Sequence, residues 1–112
     1  MKNRKEVVDG VLLLHLSGDL IGDQDGPRLL EIVNDGINSK ITKAIINLEE
    51  VRYISSSGIG VLITILTKLR NVGGDIVLAK PSEHVSKLLI ITKLNNIFQI
   101  YDDVPEALTA LK

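Results

Sequence analysis

The 112-residue sequence predicts an α/β fold: a mixed sheet of about five strands with about four helices, in the order β-β-α-β-α-β-α-β-α. Two observations carry this expectation. Asp9-Gly10, a hairpin dipeptide, joins the first two apolar runs. After it, short runs of strand length alternate with longer segments of helical period, which is the pattern of a sheet that turns parallel through right-handed crossovers.

Lys5–Val8 and Val11–Ser17 read as the two hairpin strands. Gly18–Pro27, rich in Gly and Asp, reads as a loop, and Pro27 suits the first turn of a helix. Leu29, Leu30, Ile32, Val33 and Ile37 recur at helical spacing, so that helix is expected from Pro27 to Asn38. Ala44–Leu48, apolar but for Asn47, reads as a buried strand. A second helix is expected from Ser57 to Asn71, broken by Gly73-Gly74. Ile76–Ala79 is the next strand. Pro81-Ser82-Glu83 opens a third helix, with Val85, Leu88, Leu89 and Ile91 on its buried side. Ile97–Tyr101 reads as a short strand, and Asp103-Val104-Pro105-Glu106 opens the last helix. No repeat, linker or low-complexity segment interrupts the pattern, so one domain, 1–112, is expected.

Composition narrows the chemistry. Hydrophobic residues make up 45% and aromatic residues 3%, so the core must be aliphatic. There is no cysteine, which excludes disulfides, thiolate metal sites and a cysteine nucleophile. A formal charge of -1 supplies no general field for nucleic acid, and no direct nucleic-acid contact is expected. Lys2, Arg4 and Lys5 read as a solvated basic terminus. No secretory signal pattern is visible, and no apolar run approaches the ~20 residues of a membrane span. A cytoplasmic protein without membrane insertion is expected.

The richest stretch chemically is Ile54-Ser55-Ser56-Ser57-Gly58-Ile59-Gly60. It places three hydroxyls and two glycines where a strand hands over to a helix. The first N–H groups of a helix lack intrahelical partners, and the helix dipole adds partial positive charge there. Such a site tolerates an anion, including a phosphate carried on its own serine. Serine at this place is also the ordinary N-cap, which is the plainer reading of Ser55 and Ser56. Gly58 and Gly60 suit close approach of a partner backbone, or equally close packing of the helix on the sheet.

This turn resembles that of the STAS domain family, especially bacterial anti-sigma factor antagonists. Leu14-His15-Leu16-Ser17-Gly18-Asp19-Leu20 and Ala44–Leu48 extend the resemblance over nearly the whole chain. The family turn reads hydrophobic, Asp, Ser, Ser/Thr, Gly, hydrophobic, Gly, and six of the seven positions match. The resemblance implies a STAS-like sheet, no enzymatic activity and no cofactor or metal. It implies a partner that is both anti-sigma factor and serine kinase, and it makes Ser57, just before Gly58, the phosphoacceptor. Asp23, Asp25, Ser56, Gly58 and Ile59 become the expected partner contacts. Binding would release a sigma factor and so regulate transcription, and phosphorylation would end binding. A STAS subunit docking in another assembly, such as a lipid-transport or stress-signalling complex, is the alternative. The sequence departs from the family at Ser55, where the family has Asp, and at Ile21, where the family has another Asp that Asp23 or Asp25 could replace.

An enzyme holding a phosphorylated substrate at the helix start is the remaining rival. His15 and His84 have no obvious companion in the sequence and read as structural. The turn lacks the first glycine of a Gly-x-Ser-x-Gly elbow. A cavity lined by either histidine together with carboxylates would favour this rival.

Overall fold

The computed structural model describes residues 2–111. Five strands form one sheet in spatial order β1-β2-β3-β4-β5: β1 Lys2–Val8, β2 Val11–Leu20, β3 Lys43–Ile54, β4 Asp75–Ala79 and β5 Ile100–Tyr101. β1 runs antiparallel to β2, and the later pairs are parallel. The helices are α1 Gly22–Asn38, α2 Ser56–Asn71, α3 Glu83–Ile91 and α4 Val104–Leu111. The expected fold class and element order are both present. Asp9 and Gly10 have φ of 54° and 77° and pair Val8 with Val11, as a two-residue hairpin turn with two left-handed residues requires.

The period of two along the strands divides the core. Leu12, Leu14 and Leu16 of β2 and Ala44, Ile46 and Leu48 of β3 face α1, α2 and α3, where Leu29, Ile32, Leu62, Ile65, Leu69, Val85 and Leu89 complete the main core. Val11, Leu13, Ile45, Val77 and Ala79 point to the other face and pack on Ala107 and Leu111 of α4.

Several element bounds differ from expectation. β1 starts at Lys2, so the basic residues read as a loose terminus lie in a sheet-edge strand, where charges deter pairing with another edge. β2 continues to Leu20 and β3 to Ile54. The pairing shifts between His15 and Ser17 and again between Gly18 and Asp19, and each shift puts one extra residue in β3. Leu48, Val51 and Ile54 are therefore buried three apart, a spacing that does not read as a strand. α1 starts at Gly22, five residues before Pro27. Proline there removes only one backbone donor, early in a 17-residue helix. β5 shortens to Ile100–Tyr101 because a 3-10 turn, Leu94–Asn96, and buried Phe98 occupy the approach to it.

Candidate functional site

β2 and β3 end together, with Leu20 paired to Ile54. The helices that follow them therefore start side by side. The Ser55 N–H donates to the Leu20 carbonyl at 3.0 Å and fixes the two exits to each other. Ser55, in extended conformation (φ -75°, ψ 169°), is the N-cap of α2: its Oγ accepts the Gly58 N–H at 3.0 Å. The Ser57 Oγ lies 3.0 Å from the Ser55 Oγ and accepts the Gly22 N–H at 3.1 Å. One hydroxyl thus sits at the starts of two helices, bonded to the first helical N–H of α1 while belonging to the first turn of α2. Ser57 is half-buried and Ser56 exposed.

Glycines make this approach possible. A methyl on Gly22 would overlap the Ser57 carbonyl and stand 2.8 Å from the Gly58 N. One on Gly26 would stand 2.8 Å from the Val61 Cγ2, and one on Gly58 would stand 2.5 Å from the Leu20 carbonyl oxygen. Gly22 and Gly26 are four apart, on one face of α1, and both are buried against α2. Gly58 is accordingly a packing residue. Gly60 has open space where its side chain would be.

The expected loop Gly22–Asp25 is the first turn of α1, and this changes the reading of its two aspartates. Asp25 reaches back, its Oδ2 accepting the Ile21 N–H at 2.9 Å. Ile21 is the N-cap and has no side chain that can cap. Asp25 thus supplies from inside the helix the acceptor that a polar residue at position 21 would supply in place, and it adds negative charge in the first turn. Asp23 is exposed, one residue beyond the amide that holds Ser57. Ile59 is half-buried and packs against the core. Nearby, the exposed Arg52 pairs with Asp19 at 3.1 Å. The structure brings Ser55, Ser57, Gly58 and the start of α1 into direct contact. Ser56 and Asp23 lie on the exposed surface of the two first turns. Sequence reasoning missed Gly22 and Gly26, although Gly-x-x-x-Gly at helical spacing was there to be read.

Replacing Ser55 with alanine should free the Gly58 N–H and destabilise the protein by about 1 kcal/mol. Chemical denaturation of both forms measures it. An unchanged midpoint would mean that the Ser55 cap contributes nothing.

Far from the serine turn, the second sheet face carries a polar cluster. The Glu49 N–H donates to the Asn47 Oδ1 at 3.1 Å, which turns the Asn47 amide nitrogen toward the His15 Nδ1, 2.9 Å away. Nδ1 must then accept, so the neutral ring carries its proton on Nε2 and donates it to the Glu6 Oε1 at 2.8 Å. That bond holds the Glu6 carboxyl below its ordinary range. His15 therefore has the carboxylate companion that the sequence did not reveal. A cavity of about 500 Å³ borders it, lined by Arg4, Ser17, Asn47, Glu49 and Glu50 among others. This meets the condition set for the enzyme rival in composition but not in arrangement. Both ring nitrogens are committed to Glu6 and Asn47, and no serine hydroxyl is bonded to the ring. Among the described residues, no group of three or more His, Asp or Glu is placed to hold a metal ion, and no helix is long and apolar enough to cross a membrane.

A family model described as the STAS domain matches residues 3–107. A Thermotoga neapolitana protein, the homolog of TM1081, is 40% identical over 78 residues, which are 70% of this chain and 66% of that one. An anti-sigma F factor antagonist from Paenibacillus polymyxa is 26% identical over 103 residues, 92% of this chain and 88% of its own. The solved structure of the unphosphorylated anti-sigma factor antagonist SpoIIAA superimposes with a TM-score of 0.80, covering 96% of this chain and 93% of that one at 23% identity, a likeness of fold.

Proposed function

The chain belongs to the STAS domain family, and on that premise we propose that it is an anti-sigma factor antagonist switched by phosphorylation of Ser57. The observation that supports this best is the position of the Ser57 hydroxyl, at the junction of two helix starts and beside the exposed surface of both first turns. An anti-sigma factor with serine kinase activity docks on Asp23, Ser56 and Ile59 and takes hold of the turn. In the switching step the Ser57 Oγ attacks the γ-phosphorus of the partner's ATP, the bond to the β-phosphate oxygen breaks, and ADP leaves. Ser55, a hydroxyl, is not a base for the displaced proton, so a basic group of the partner takes it. The domain is then a phosphate acceptor and not an enzyme, and its docking releases a sigma factor in the cytoplasm.

Incubation with the cognate kinase and ATP should add one phosphate, on Ser57, as read by peptide mass spectrometry. Modification confined to Ser55 or Ser56, or none at all, rejects the assignment. Ser57→Ala should remain folded and keep binding the kinase. Its stability cost arises from the orphaned Gly22 N–H and not from a lost cap, and should be about 1 kcal/mol. Loss of kinase binding by this variant would make the hydroxyl itself a docking contact.

A further inference from the structure

α3 and the turn after it leave three isoleucines in solvent. Ile90 is 61% exposed, Ile91 77% and Ile97 42%. The reason lies in helix geometry: Val85 and Leu89, four apart, take the buried stripe of this nine-residue helix, and Ile90 and Ile91 fall outside it. The sequence expectation that Ile91 lies on the buried side is therefore wrong.

The tip is firmly built. The Thr92 N–H and Oγ1 both donate to the Leu88 carbonyl, at 3.0 and 2.8 Å, and the Lys93 N–H to the Ile90 carbonyl at 3.0 Å. The Ile97 and Phe98 N–H groups both donate to the Leu94 carbonyl, with Leu94 and Phe98 anchored in the core. Isoleucines held in place and exposed in this way suit a partner better than solvent. Along the chain from His84 to Tyr101 there is no Asp or Glu, and Lys87 and Lys93 are both exposed. Lys87 leans toward Glu83 on the first turn, at 3.5 Å, so Lys93 is the cation at the tip.

We propose that the isoleucine tip of α3 is a second docking surface, and that it takes a partner helix whose apolar stripe is edged by Asp and Glu. Charge complementarity selects this occupant. The surface is also separate from the serine turn. α2 and α3 both start where parallel strands end, so the far end of α3 lies at the opposite end of the helical layer from Ser57. A partner at Ser57 and a partner at the tip can be bound together.

The test uses the isotopically labelled chain and a synthetic amphipathic helix of leucines flanked by glutamates, with a control in which lysines replace the glutamates. The acidic helix should shift the amides of Ile90, Ile91, Lys93 and Ile97 and leave those of Ser55–Ser57 unmoved. Ile91→Asp and Lys93→Glu should each weaken binding at least tenfold, with the unfolding temperature unchanged. Equal binding of the lysine helix, no shift at the tip, or shifts only at the serine turn would overturn the proposal. So would concentration-dependent shifts of the tip without peptide, which would mean self-association, or tip shifts produced by anionic phospholipid vesicles and not by the peptide.

Discussion

Gly22→Ala should destabilise the domain and disconnect Ser57 from α1, whereas Gly60→Ala, in the same small region, should stabilise it. The added methyl at Gly22 meets the carbonyl of Ser57 and the Gly58 N, which are backbone atoms and cannot rotate away. α1 must retreat from α2, and the bond from the Gly22 N–H to the Ser57 Oγ stretches or breaks. Overpacking of this kind costs about 1–3 kcal/mol, and a lost bond to a half-buried donor adds to it. The helix preference of alanine over glycine, about 1 kcal/mol at most, does not offset this at the first helical position. Gly60 is helical and exposed, with nothing within 4 Å of the new methyl, so the same substitution keeps the full propensity gain of roughly 0.5–1 kcal/mol. Thermal unfolding of the two variants decides the contrast. If Gly22→Ala matches the parent, the close approach of the two helix starts is not what holds the site. If Gly60→Ala is more stable but fails to bind the kinase, Gly60 is where the partner backbone comes close.

The same glycines explain what could and could not be read from the sequence. The inner parts of the strands were legible because Leu12–Leu16, Ala44–Leu48 and Ile76–Ala79 are buried and apolar but for the half-buried His15 and Asn47, and the hairpin was legible because Asp9-Gly10 has a local conformational reason to be there. The serine turn was legible from residue type and position, and the cap falls on Ser55, one of the two serines read as capping. The start of α1 was not legible. Gly22-Asp23-Gln24-Asp25-Gly26-Pro27 has the composition of a loop, and what makes it a helix is tertiary: two glycines fit against α2, and Asp25 folds back on the Ile21 N–H. The far end of β3 is hidden in the sequence for a related reason. Its two extra residues change the spacing of its buried side chains from two to three, which no period-two reading detects. The companions of His15 come from β1 and β3, 9 and 32 residues away, and only the register of the sheet brings them to the ring.

Phosphorylation of Ser57 should lower affinity for the kinase by two orders of magnitude or more while leaving the unfolding temperature nearly unchanged. The stability half of this follows from where the Oγ lies. Both α1 and α2 present their N-terminal ends to it, and negative charge at a helix start is favourable, by about 0.3–1 kcal/mol even where it is exposed. The Gly22 N–H, which donates to the unmodified hydroxyl, is a donor that a phosphate oxygen can use. Asp23 and Asp25 oppose the new charge, but Asp23 is exposed, and screening limits that repulsion. Ser55 stands where the family has a carboxylate, so one further source of repulsion is absent. The affinity half follows from docking. The modified group adds roughly -2 charge and a phosphate's bulk to the surface that the partner must cover. Burying a charge without a matching partner costs about 3–5 kcal/mol, and each 1.4 kcal/mol is tenfold in affinity. Calorimetric titration and thermal unfolding, run on the same unmodified and phosphorylated samples, separate the two halves. A large fall in unfolding temperature, or amide shifts spread along α1 and the sheet far from the serine turn, would replace surface blocking with a conformational mechanism. Unchanged affinity would mean that the partner does not cover Ser57 at all.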